Sequence, residues 1–173
     1  MTGKRVFARI KPAAWWAVCV AALAGCAQDG ARWNGERPPH AVDIVDRIEI
    51  LSLPAAINLD TVPGPDGLRV QVYLFQYAQD QPVTAAGTLE FLVFDRKVGA
   101  GEIYTVQPFE TWSFQGEQLG RYLGRSLIGW NYSMELRWQT SPAARTLTLV
   151  ARYTPPAGQP VHSSPVMISM GAR

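Results

Sequence analysis

Alternating apolar and polar side chains dominate the chain after residue 42 and predict β-strands. The clearest case is residues 68–77, where every second residue is a leucine or a valine up to Leu74. This period of two places those side chains on one face of a strand, whereas a helix requires a period near 3.6. The intervening Tyr73, Phe75 and Tyr77 are therefore expected to face away from the core.

Several further segments resemble strands in their alternation or apolar content. They are residues 48–53, 87–95, 103–107 with a continuation at 112–114, 130–138, 146–154 and 161–170. The segment 87–95 is apolar on both faces, which predicts a central strand. Pro165 interrupts the last segment and favours an edge strand or a bulge there. Glycines limit residues 117–123 to a single helical turn.

About seven short strands with no substantial helix predict an all-β fold. We expect a two-sheet antiparallel β-sandwich of the immunoglobulin or transthyretin kind. An eight-stranded barrel is the alternative, but the loops are uneven and the middle of the chain breaks the repeat. The Cys…Trp…Cys spacing of true immunoglobulin domains is absent, so the likeness is one of architecture.

The first 25 residues have the pattern of a signal peptide. Four cationic residues come first: Lys4, Arg5, Arg9 and Lys11. The apolar run that follows, residues 13–24, is shorter than the roughly 20 residues that a membrane-spanning helix needs. A positive flank, a short apolar run and small residues at its end are typical of a cleaved secretory signal.

The end of this run, Leu23-Ala24-Gly25-Cys26, resembles the lipobox of bacterial lipoproteins. The resemblance implies that Cys26 carries a diacylglyceryl group, that cleavage occurs before it, and that the new amine is acylated with a chain such as palmitate. Ala27, in place of Asp, favours export to the outer membrane. An ordinary secretory signal with a cysteine nearby is the alternative. The expected organisation is a signal peptide at 1–25, a flexible tether at 26–41 and a sandwich domain at 42–173.

Processing changes the charge and cysteine content of the chain. Removing 25 of the 173 residues leaves 148, enough for one domain. Of the 16 Lys and Arg residues, 4 lie in the predicted signal peptide, which leaves 12 in the mature chain. All 14 Asp and Glu residues lie after it, so the net charge of the mature chain is near −2. That balance does not support a nucleic-acid-binding surface. The lipobox resemblance implies that Cys19 is removed and that Cys26 is lipidated, so we expect no internal disulfide in the mature chain.

Three strand-and-turn motifs resemble those of bacterial envelope lipoproteins that carry a sandwich behind a lipobox. They are Pro65-Asp66-Gly67 with the strand Arg69-Val70-Gln71-Val72-Tyr73, Ala86-Gly87-Thr88-Leu89-Glu90-Phe91, and the hairpin Tyr153-Thr154-Pro155-Pro156-Ala157-Gly158. The resemblance implies a fold and no chemistry. A narrower similarity is to the outer-membrane lipoprotein of type VI secretion systems, also a small sandwich on a lipid anchor.

The sequence contains no pattern typical of an active site. His40 and His162 have no second metal ligand at a suitable spacing, and Ser163 and Ser164 lack the Gly-x-Ser-x-Gly elbow of hydrolases. We therefore expect no catalytic residue, no metal and no cofactor. The expected role is that of a non-enzymatic lipoprotein on the periplasmic side of the membrane, binding an envelope protein or organising the envelope.

The candidate binding face is the aromatic row Tyr73, Phe75 and Tyr77, because exposed flat rings bind protein partners or glycans. A secretion-system component and a carbohydrate-binding module are the alternative roles. The competing interpretation of the row is that the segment 117–130 folds across it. A second row, Trp130, Tyr132 and Trp138, is expected in the core.

Overall fold

The computed structural model describes residues 37–171, and in this part of the chain nearly all regular structure is β. One helical turn, α1, spans Glu117–Gly120. The strands are β1 (Arg47–Ser52), β2 (Gly67–Phe75), β3 (Thr88–Phe94), β4 (Glu110–Gln115), β5 (Leu123–Arg125), β6 (Trp130–Arg137), β7 (Thr146–Thr154), β8 (Val161–His162) and β9 (Val166–Ser169).

The strands form two antiparallel sheets that pack as a β-sandwich, so the predicted fold class is confirmed. Sheet one has the order β1-β2-β6-β5, and sheet two has the order β4-β3-β7-β8, with β9 also paired to β7. Successive hairpins alternate between the sheets: β1-β2 lies in sheet one, β3-β4 in sheet two, and β5-β6 in sheet one again. The described residues contain nine strands rather than about seven, because the last predicted strand divides and β5 was not predicted.

The main core lies between the two sheets and follows the alternation in the sequence. In β2 the leucines and valines point inward and are fully buried, and in β6 Tyr132, Met134 and Leu136 do the same. Trp138 packs against this core from its rim, and Trp130 is buried as well. The prediction that the second aromatic row is buried is therefore confirmed for Trp130 and Tyr132, and Trp138 is partly buried.

A second apolar cluster covers the outer face of sheet two. Leu92 and Phe94 of β3 and Val150 of β7 are buried beneath Val98 and Ile103. This arrangement explains why β3 is apolar on both faces, and it confirms that β3 is a central strand between β4 and β7.

The prediction of a strand at residues 103–107 is wrong. The chain turns here, because the carbonyl of Glu102 accepts hydrogen bonds from the amides of Thr105 and Val106, both at 3.0 Å. Ile103 consequently lies against the outside of sheet two, where it is buried in the second cluster. Its apolar character therefore reflects a covering loop and not a strand.

The expected helical turn and the proline break are both confirmed. The helical turn α1 falls within residues 117–123, and the final strand divides around Pro165 into β8 and β9. Both pieces pair with β7 at the margin of sheet two. A proline has no N–H to donate to a sheet, which accounts for the interruption at this edge.

Two buried tyrosines hold the crossover that leads from β2 to β3. The hydroxyl of Tyr132, in sheet one, accepts the amide of Ala85 at 3.0 Å. The hydroxyl of Tyr153, in sheet two, accepts the amide of Gly87 at 3.0 Å and donates to the carbonyl of Asp43 at 3.1 Å. Burial raises the pKa of both phenols.

Gly87 is required by this close approach. A Cβ at this position would collide with the carbonyl oxygen of Thr154 and lie 2.8 Å from the ring of Tyr153. The neighbouring atoms on β7 include backbone, which cannot move aside without disturbing the sheet. Glycine therefore lets the crossover run directly against β7.

Residues 37–46 join the sandwich at one end, which we call the entry end. Val42 pairs with Ala85, and the carbonyl of Pro39 accepts the hydroxyl of Thr84 at 3.0 Å. β1 begins opposite Phe75, so the loop after β2 lies at this same end. β6 runs antiparallel to β2 and begins near the end of β2, which places the loop between β5 and β6 there as well. The loop between β1 and β2 lies at the opposite end, where β2 begins beside the last residue of β6.

The predicted signal peptide, the lipobox residues Leu23, Ala24, Gly25 and Cys26, and most of the predicted tether lie outside the described residues. The compact unit that contains the sandwich begins at Arg37. Among residues 37–171, no helix has the length and apolar character needed to cross a bilayer.

Candidate interaction surfaces

The predicted outward aromatic row is not continuous, because Tyr73 is buried. Its side chain faces away from the core between the sheets, yet only 2% of the residue is exposed. Its hydroxyl lies 3.0 Å from the Oγ of Ser126, in the turn between β5 and β6. The expectation that Tyr73 belongs to an exposed binding face is therefore wrong. The competing interpretation, in which residues from the segment 117–130 cover the row, is confirmed at this position.

The other two residues of the row, Phe75 and Tyr77, remain at least partly exposed to solvent. Phe75 is half-buried beneath the guanidinium of Arg47, whose Cζ lies 4.4 Å from the ring centroid. Tyr77 is 87% exposed, and its amide donates to the carboxylate of Asp46 at 2.8 Å, which fixes the backbone that carries it. A depression of about 410 Å³ at this point is lined by Arg47, Phe75, Gln76, Tyr77, Gln79 and Asp80. We call it the Tyr77 depression.

A tight turn between β5 and β6 carries a second exposed apolar feature at the same end. Ser126 and Gly129 exchange two backbone hydrogen bonds, at 2.9 and 3.2 Å, around Leu127 and Ile128. Leu127 is fully exposed and Ile128 is 53% exposed. Sequence reasoning missed this feature. The only signal was a turn of four residues, Ser-Leu-Ile-Gly, with branched aliphatic side chains at both of its central positions.

The outer face of sheet two carries a small charged cluster. The Nε of Arg152 donates to the carboxylate of Glu90 at 2.7 Å, and Arg152 lies directly opposite His162 in the sheet. The ring of Tyr104 meets the imidazole edge to face, with the two centroids 5.0 Å apart. Partial burial and the nearby Arg152 lower the pKa of His162, and Glu90 offsets part of that effect.

His162 therefore lies beside the Arg152–Glu90 ion pair, and His40 lies exposed at the entry end. Among the described residues, no group of three or more His, Cys, Asp or Glu side chains could hold a metal ion. Ser163 is buried and donates to the carbonyl of Ser164, and its hydroxyl accepts the amide of Ala151. These contacts give that serine a role in joining β7 to the segment after β8.

The sequence matches no known protein-family model, and comparison with curated proteins and with solved structures finds no significant match. The assignment of a role therefore depends on the residues of this chain alone.

The lowered pKa of His162 predicts a specific dependence of stability on pH. Below its ordinary pKa of 6.5 the imidazole protonates more readily in the unfolded chain than in the folded one. Protonation then favours unfolding, so the stabilisation that comes from the neutral imidazole is present above pH 6.5 and is lost as the pH falls through the lowered pKa of the folded state. We expect His162→Gln to show a smaller loss of unfolding free energy than the wild type between about pH 7 and 5.

Urea unfolding of both proteins at the two pH values measures this difference, and the carboxylates common to both proteins cancel. An identical pH dependence of the unfolding free energy in the two proteins would contradict a lowered pKa of His162 in the folded state.

Proposed function

We propose that this protein is a lipid-anchored, non-enzymatic module of the bacterial cell envelope that binds a partner through the Tyr77 depression. The lipobox resemblance at Cys26 supports the anchor and a location on the periplasmic side, most consistent with the outer membrane. The observation that carries the binding role is the almost complete exposure of Tyr77 beside a depression at the entry end.

The composition of the Tyr77 depression fits a protein partner. Tyrosine and arginine are among the residues most enriched at the energetic centres of protein interfaces, because each offers a large flat surface together with hydrogen-bonding atoms. Here Tyr77 and the half-buried Phe75 supply apolar area, and Arg47 and Asp80 supply opposite charges at the margin. The backbone of Tyr77 is held by Asp46, so little ordering is needed on binding.

A glycan is the second candidate ligand. The amide side chains of Gln76 and Gln79 lie around the depression and are linked by a 3.1 Å hydrogen bond. Amides beside an exposed aromatic ring match the alternating hydroxyls and flat C–H faces of a sugar. Retention on polysaccharide that Tyr77→Ala abolishes would favour this ligand over a protein.

The anchor is tested by Cys26→Ser. A hydroxyl is not the acceptor of the diacylglyceryl group, so we expect the unprocessed precursor to accumulate and no acylated N-terminal peptide to form. Mass spectrometry of the purified chain, with Cys19→Ser as the matched control, measures both outcomes. Cys19→Ser leaves the cleavage motif intact and should mature normally. Normal maturation of Cys26→Ser would contradict the lipoprotein assignment.

The binding surface is tested by cross-linking in intact cells. We expect Tyr77→Ala to lower recovery of a specific envelope protein roughly tenfold, equivalent to about 1.4 kcal/mol of binding free energy. Tyr104→Ala is the matched control, because Tyr104 is 70% exposed and packs against His162 of sheet two, whereas the depression is lined by residues of β1, of β2 and of the loop after β2. Equal recovery with all three proteins would show that the depression is not the binding surface.

A further inference from the structure

The turn between β5 and β6 presents its apolar side chains to solvent in an unusual way. The central positions of tight turns are normally occupied by Gly, Asn, Asp, Ser or Pro, for conformational reasons. Here Leu127 and Ile128 occupy them, and neither φ angle is positive. Leu127 makes no packing contact that shields it from water, since it is fully exposed. Nothing in the turn's own conformation requires two branched aliphatic residues.

The first and last residues of the turn, Ser126 and Gly129, are held by contacts with the rest of the domain. The Oγ of Ser126 accepts the amide of Ile128 at 3.1 Å and lies within hydrogen-bonding distance of the Tyr73 hydroxyl. Gly129, at a φ of 134°, is buried and packs so closely against Pro82 that a side chain would not fit. The backbone that carries the two aliphatic side chains is therefore fixed. Burying these side chains in a binding partner or a membrane would cost little backbone conformational entropy.

The turn also lies at the end of the domain where the N-terminal segment enters. Gly129 packs on Pro82, and three residues further along the same crossover Ala85 pairs with Val42. Only eleven residue steps separate Arg37 from Cys26, and a chain of that length spans at most about 40 Å. An acylated Cys26 would therefore keep Arg37 within about 40 Å of the lipid, and along the chain the entry end lies nearer to the anchor than the opposite end does.

We propose that Leu127 and Ile128 insert into the surface of the membrane that holds the acylated Cys26. The inference rests on the proposed lipid anchor and adds a second contact that fixes the orientation of the domain. Ile44, at 59% exposure, and Tyr77 lie at the same end and extend the apolar surface. Tyrosine is favoured at the boundary between lipid and water, so Tyr77 would lie at that boundary and outside the acyl region.

A single thiol label tests this contact in the full-length, lipidated protein. After processing, the mature chain has no cysteine other than the acylated Cys26, so Leu127→Cys creates one reactive thiol. The control is Val62→Cys, because Val62 is aliphatic, 65% exposed and placed on the loop at the opposite end. Each variant carries an environment-sensitive fluorophore and is reconstituted into vesicles of phosphatidylethanolamine and phosphatidylglycerol with brominated acyl chains.

We expect brominated lipid to quench the label at 127 by roughly half or more, because the turn reaches the boundary of the acyl chains. The label at 62 should be unchanged, because it lies at the opposite end of the domain. Vesicle flotation without quenching at 127 would overturn the inference and leave the lipid anchor standing. A chain that does not float would overturn both. Shielding of the label by a cross-linked protein in cells, without quenching by lipid, would assign the turn to a protein partner and overturn the lipid contact.

Discussion

The sandwich depends on how its two sheets hold the first crossover between them, from β2 to β3. Each sheet contributes one buried tyrosine, and each hydroxyl accepts an amide of the crossover, that of Ala85 or that of Gly87. A buried amide without a partner is costly, typically by about 1–3 kcal/mol, so the two contacts fix where the chain can pass. The hydroxyl of Tyr153 also donates to the backbone at Asp43, which joins the N-terminal segment to the same point.

This constraint determines what lies at the entry end. Because the crossover is fixed, the Tyr77 depression that precedes it and the turn that packs on Pro82 are carried on a rigid base. The same crossover pairs with Val42, so the direction of the N-terminal segment is set by the residues that position both exposed features. The depression and the apolar turn are thus linked to the N-terminal segment through one short crossover, and the proposed role rests on that link.

Local alternation predicted most of the sheets but could not predict what covers them. The strand Thr146–Thr154 agrees with its predicted bounds, and β2 and β3 differ by one or two residues at their ends, because period-two burial is a local property. Tyr73 was misjudged because its cover, Ser126, lies 53 residues away in the sequence. The apolar pattern of residues 103–107 predicted a strand, but these residues form a turn that covers sheet two. The hydrophobic character of Leu127 predicts burial, but its side chain is fully exposed. Only tertiary contacts settle such positions.

Native-state hydrogen exchange at the amides of Ala85 and Gly87 tests the central constraint most directly. If the two tyrosines hold the crossover, both amides exchange only through global unfolding, as slowly as the amides of β3. In the Tyr132→Phe/Tyr153→Phe double variant they should exchange at least about tenfold faster relative to β3, since the acceptors are gone. Rapid exchange of both amides in the wild type, at the rate of the exposed loop 60–64, would contradict the account.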